Sequence, residues 1–138
     1  MGGKLKRLNI KQQIKMINEF PEQTSDLSKE ELELIPSIIK GLKLRYGKET
    51  AITGAEICSK MNLNGARLRK MINHIRVNSL LHGLCGSKNG YFMANDSKEL
   101  DDYIISFKQR IKSQVYVLNA LEKQTIIFGG TGQTTLFE

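Results

Sequence analysis

Between Ile57 and Asn95 the chain contains no aspartate or glutamate, a gap of 39 residues in a protein that has 14 acids in all. Lys60, Arg67, Arg69, Lys70, Arg76 and Lys88 fall inside that gap and supply six of the seven net positive charges. A solvated face usually mixes signs, so an acid-free basic stretch points to a polyanionic partner. Long apolar runs are also missing. No segment approaches the roughly 18 to 20 consecutive apolar residues of a membrane span, and the basic start Met1–Arg7 is not followed by the apolar stretch of a signal peptide. A cytoplasmic protein with no membrane partner is therefore expected.

Only two cysteines, Cys58 and Cys85, and two histidines, His74 and His82, are present. Two cysteines without a CxxC spacing exclude a disulfide framework and read as small buried apolar residues. The His82/Cys85 pair has a gap that suits zinc. Cys58 on a core helix face and His74 toward the outer side of the next helix should not converge with it, however, so no metal site is expected. Acids at Glu30, Glu31, Glu33, Asp101 and Asp102 sit at helix starts, where they complement the dipole. No nucleophile, base and orienting group can be assembled, so neither an enzyme nor a cofactor is expected.

What the chain does have is punctuation. With 138 residues, 40% of them apolar, it can build one modest core with extensions. We expect a basic N-terminal arm or helix over 1–27 and a winged-helix domain over 28–95. A long helix for dimerisation or packing should cover 96–124, and a flexible tail 125–138. In the arm, Leu8, Ile10, Ile14, Ile17 and Phe20 recur at near-helical spacing among five bases, which suits a packed helix or a DNA-contacting arm. Ser28 and Glu31 form a capping box opening a helix whose buried stripe is expected to be Leu32, Ile35, Ile39, Leu42 and Tyr46, ended by Gly47. Pro36 in its middle predicts a kink or a break into two helices.

Thr50-Ala51-Ile52 is short and β-prone. Thr53 and Glu56 cap a compact helix running through Met61 with Ile57, Cys58 and Met61 inward. Asn62-Leu63-Asn64 then makes a tight turn in which Leu63 plugs the core and Asn64 caps the next helix. That is helix-turn-helix spacing. In the second helix, Gly65 to about Val77, Leu68, Met71, Ile72 and Ile75 take one side. Ala66, Arg69, Lys70 and Asn73 are left on the other, flanked by Arg67 and Arg76. Arg67 and Lys70 suit guanine acceptors and Asn73 suits adenine, while Arg69, His74 and Arg76 suit phosphates. The runs Ser79–Cys85 and Tyr91–Ala94, joined through Gly86–Gly90, predict a hairpin whose Asn89-Gly90 supplies positive φ and whose Lys88 reaches a phosphate.

The span Ile52 to Ala94 resembles the winged-helix DNA-binding family. Within it Ala55-Glu56-Ile57-Cys58, Leu68-Arg69-Lys70-Met71-Ile72-Asn73 and Gly90-Tyr91-Phe92 resemble small proteins common in phages and prophages. The fold class expected is thus mainly α with a small β-hairpin wing, a winged helix-turn-helix followed by a long C-terminal helix. The expected function is double-stranded DNA binding, with a replication accessory role ahead of a transcriptional regulator. A protein-interaction module that never touches DNA is the alternative from another class.

Asp96 and Glu99 cap the last helix, where Leu100, Ile104, Phe107, Ile111, Gln114, Leu118 and Leu121 alternate steps of four and three. That seam suits either a homodimer through residues 100–121 or packing on the chain's own N-terminal helices. Gly129 is the next breaker. A P-loop reading of Gly129-Gly130-Thr131-Gly132 fails because Gln133 stands where lysine is needed. Gln133, Leu136 and Phe137 instead resemble the Gln-x-x-Leu-Phe peptide with which bacterial replication and repair proteins bind the sliding clamp. Thr134 departs from the leucine common there, and a disordered or folded-back tail is the competing expectation.

Overall fold

The structure, a computed structural model, describes Lys15 and residues 26–130. The expected arm stripe of Leu8, Ile10, Ile14, Ile17 and Phe20 and the tail residues Gln133, Leu136 and Phe137 lie outside the described residues. Residues 25–105 form one compact unit, and the long helix continues past it into a second, of which 106–130 are described. The described architecture is mainly helical with a small antiparallel hairpin and a long C-terminal helix. No helix among the described residues is long and apolar enough to cross a membrane.

Helix α1 spans Lys29–Leu42. Its capping box is complete: Glu31 N–H donates to Ser28 Oγ at 3.1 Å and Ser28 N–H donates to Glu31 Oε1 at 2.8 Å. Pro36 lies inside it without dividing it, so of the expected kink or break the break does not occur. Proline removes the bond to the carbonyl four residues back, here Leu32, and both Leu32 and Pro36 are exposed, so water can serve that carbonyl. Ile35, Ile38 and Leu42 are buried on either side of the proline and hold the two halves to one core. The buried stripe is Glu31, Ile35, Ile38 and Leu42, rotated from the expected Leu32, Ile39 and Tyr46. The helix also stops at Leu42 rather than Gly47, with Lys43 as its cap.

The segment that follows makes a 3-10 turn, Lys48–Thr50, and then a single antiparallel bridge at Ile52. Ile52 N–H donates to the Tyr91 carbonyl at 2.9 Å and Tyr91 N–H returns a bond of 2.8 Å. The β-prone Thr50-Ala51-Ile52 is thereby reduced to one rung on the hairpin.

Helix α2 spans Gly54–Met61, capped by the Thr53 side chain accepting from Glu56 N–H. Asn62 ends it in the left-handed conformation, φ 55°, which asparagine tolerates better than other side chains. Leu63 is half-buried against the core, as its place in the turn predicts. Asn64 then caps helix α3, Gly65–Val77, by accepting from Arg67 N–H at 2.8 Å. Leu68, Met71, Ile72 and Ile75 on α3 are buried, the four positions that the helical spacing assigns to the core. Because that one cap opens α3, Asn64→Ala is expected to cost about 1 kcal/mol of stability, read as a lower midpoint in urea. A change below a few tenths would show the cap to be idle.

The hairpin is shorter than the sequence suggests. Strand β1 is Leu84–Ser87 and β2 is Gly90–Met93, paired Leu84 with Met93 through Ser87 with Gly90. Ser79–Gly83 is turn, not strand. Ser79 (φ 53°) and Gly83 (φ 84°) both leave the extended region, and Leu80 N–H folds back onto the Ile75 carbonyl. Lys88 and Asn89 form the two-residue tip, but positive φ falls on Gly90 (116°) and not on Asn89. Gly90 sits against the Ile52 backbone, where only a residue without Cβ fits.

Helix α4, Ser97–Gln124, is 28 residues long. Glu99 N–H donates to Asp96 Oδ1 at 2.9 Å, while Glu99 accepts from the Asn95 and Lys48 amides and so ties the helix start to the 3-10 turn. Along the seam Ile104, Phe107, Ile111 and Leu121 are exposed, and Val115 beside it is buried. A 3-10 turn, Thr125–Phe128, follows, ended by Gly129 in the left-handed region.

Candidate nucleic-acid interface

The outer face of α3 is a stripe of Ala66, Arg69, Asn73 and Val77, all exposed and opposite Leu68 and Ile75. Gly65 and Ala66 put little bulk at its amino end, so the backbone there can come close to a partner. Val77, 82% exposed, extends the stripe with an apolar group. It has a sequence signal that was overlooked, a lone valine at the outer spacing of Ala66 and Asn73. Lys88 is exposed at the hairpin tip.

The remaining basic residues of α3 have partners inside the protein. Arg67 and Lys70 were expected to point outward as base readers; both instead close on Glu31 of α1. Arg67 Nε donates to Glu31 Oε2 at 3.0 Å and Lys70 Nζ to Glu31 Oε1 at 2.9 Å, with Glu30 3.9 Å from Arg67 Nη2. Glu31 is 2% exposed, while Arg67 and Lys70 keep 33% and 26% of their side-chain surface. The Ser28 amide, then Lys70 and Arg67, stabilise the carboxylate and pull its pKa down to about 2. The acid-free reading of α3 therefore holds along its own sequence and fails in space, because an acid 36 residues away stands against its edge. The sequence context of Glu31 signals only helix-start roles, the capping box and the dipole.

Arg76 is likewise occupied on the opposite flank. Its Nε donates to the Leu84 carbonyl at 3.0 Å and its guanidinium lies 5.2 Å from the centre of the Tyr103 ring, a cation–π arrangement. It thereby links α3, the hairpin and α4 within residues 25–105. His74 is half-buried, and Asn78 Nδ2 approaches its Nδ1 at 3.3 Å while bonding its carbonyl at 2.9 Å, so this pair closes the end of α3.

Of the eight residues expected to touch DNA, Ala66, Arg69, Asn73 and Lys88 are thus presented to solvent. Arg67, Lys70, Arg76 and His74 serve the fold at least in part. Cys85, on strand β1, is buried, and that burial pushes its thiol pKa up. The chain matches no family model, no curated protein and no solved structure.

Proposed function

We propose that the unit of residues 25–105 binds double-stranded DNA with α3 in the major groove and the hairpin tip on the adjacent backbone. The observation carrying this reading is the exposed, acid-free stripe Ala66–Arg69–Asn73–Val77 on the second helix of a helix-turn-helix, in a unit that also exposes Lys88 at its hairpin tip. Arg69 has the donors for guanine or phosphate, Asn73 the donor and acceptor that pair with adenine, and Val77 a methyl surface for thymine. Arg67 and Lys70 contribute positive potential at the α1 edge, part of it cancelled by Glu31.

Fluorescence anisotropy with duplex DNA over a salt series tests it. Affinity should fall steeply with salt, and Arg69→Ala with Asn73→Ala should cost on the order of tenfold or more. Lys88→Ala should lower the log–log salt slope by about one. Absent or salt-insensitive binding sinks the DNA reading and favours a protein-interaction module, which the internal pairing of Arg67 and Lys70 would suit. The replication role rests on Gln133, Leu136 and Phe137, proposed to bind a bacterial sliding clamp; a regulator would need no such tail. The exposed seam Ile104–Phe107–Ile111 supports a homodimer through α4, which would present two α3 helices to one duplex.

A further inference from the structure

On the side of the unit formed by α1, the 3-10 turn and α2 lies a cavity of about 450 Å³. Its floor belongs to the core: Ile38, Leu42, Ile52 and Ile57 line it and each is buried. Gly41, the penultimate residue of α1, forms part of the wall. Among the described lining residues the only charged groups are Arg45 and Lys60, and no acid is present. Arg45 Nη1 donates to the Thr50 carbonyl at 3.2 Å, which fixes its guanidinium at that rim.

An apolar floor beneath two cations, with no acid to cancel them, is complementary to a molecule with an alkyl body and an anionic head. We propose that this cavity binds a small amphiphilic carboxylate, a medium-length acyl chain lying on the isoleucine and leucine floor with its carboxylate against Arg45 and Lys60. The volume falls within the roughly 300–1,000 Å³ of small-molecule sites. Apolar burial supplies the driving force, and the planar guanidinium offers a carboxylate two parallel donors. A volume of this size with a floor of buried core residues suits a compact ligand. The site stands whether or not α3 binds DNA.

The full chain, uniformly labelled with 15N, tests this by amide-shift titration with decanoate and with decanol. Decanoate should give saturable shifts at Gly41, Ile57 and Lys60 at millimolar concentration or below, and decanol should bind at least about tenfold more weakly. Gly41→Leu supplies the decisive variant. A Cβ at Gly41 meets no atom within 4 Å, so a side chain on this wall residue starts without a clash and improves helix propensity. It should keep the wild-type thermal midpoint or raise it while abolishing decanoate binding, and Arg45→Gln with Lys60→Gln should remove the preference for decanoate over decanol. Failure of decanoate to saturate below about 5 mM overturns the proposal, as does equal affinity for decanol or wild-type affinity in Gly41→Leu. Tighter binding of a Gln133–Glu138 peptide to the same amides overturns it in favour of a peptide groove. A dimer whose contact consists of those amides overturns it in favour of self-association.

Discussion

Gly90→Ala is expected to be the most damaging single substitution in the hairpin, lowering stability by about 3–5 kcal/mol. Gly90 holds φ 116°, a conformation that side-chain-bearing residues rarely adopt. Space is the larger obstacle. A Cβ would collide with the Ile52 carbonyl and stand 2.7 Å from Thr53 Cα, and both obstacles are backbone atoms that cannot rotate aside. To accommodate it the Ile52–Tyr91 bridge must open, which removes two backbone bonds and loosens Ile52, Leu84 and Met93 from the core. Urea unfolding measures the loss, and amide exchange at Ile52 and Tyr91 locates it. A loss below about 1 kcal/mol, with those two amides still protected, would show that the hairpin can shift as a body and that the close approach is not a constraint.

Glu31→Ala is expected to lower the thermal midpoint by about 5 °C or more, and at the same time to increase affinity for duplex DNA. The carboxylate closes the α1 capping box and pairs with Arg67 and Lys70, so its loss opens a helix end and leaves two cations without their buried counter-charge. Glu31→Gln separates the two effects, since the amide can still accept from Ser28 N–H while the negative charge is gone. That variant should be closer to wild type in thermal stability and still bind duplex roughly three- to tenfold more tightly at low salt, through freed Arg67 and Lys70. The pH dependence follows from the lowered pKa. The native carboxylate stays charged down to about 2, whereas in the unfolded chain it protonates near 4.3. Its stabilisation is therefore complete above the unfolded value and is lost as pH falls from about 5 toward 2. Glu31→Gln should flatten the stability curve in that window, lying below wild type near neutrality by the full contribution of the charge and converging with it toward pH 2. Identical acid slopes for the two proteins would show that the pairing contributes nothing to stability, and unchanged DNA affinity would show that Arg67 and Lys70 are not held back by it.

Local chemistry was legible wherever a residue acts on its near neighbours. Ser28, Thr53 and Asn64 announce helix starts because a side-chain oxygen satisfies amides two or three residues on, and all three do so. The α3 spacing of Leu68, Met71, Ile72 and Ile75 marks the inner face, because 3.6 residues per turn leaves no other arrangement that buries all four. The stripe of α1 was misjudged by about one position. Counting apolar residues there gave weight to Leu32 and Tyr46 and none to Glu31, the one charged residue buried among the described residues. The absent break at Pro36 and the turn at Ser79–Gly83 have the same reason: propensity weighs each residue alone, while a Leu32 carbonyl left without its amide or a left-handed serine is tolerated when neighbouring packing is strong.

The mainly helical class, the order helix, helix-turn-helix, hairpin and long helix, and the inner face of α3 were determined by sequence alone, since periodicity and caps are short-range properties of the chain. Which basic residues remain available was decided only in three dimensions. Arg67 and Lys70 meet an acid 36 and 39 positions earlier, and Arg76 meets Tyr103 27 positions later. No local pattern encodes such pairings. The contacts of Glu31 and Tyr103 with α3 therefore divide one basic sequence into residues that hold the fold and the smaller set, Lys60, Arg69 and Lys88, left facing solvent.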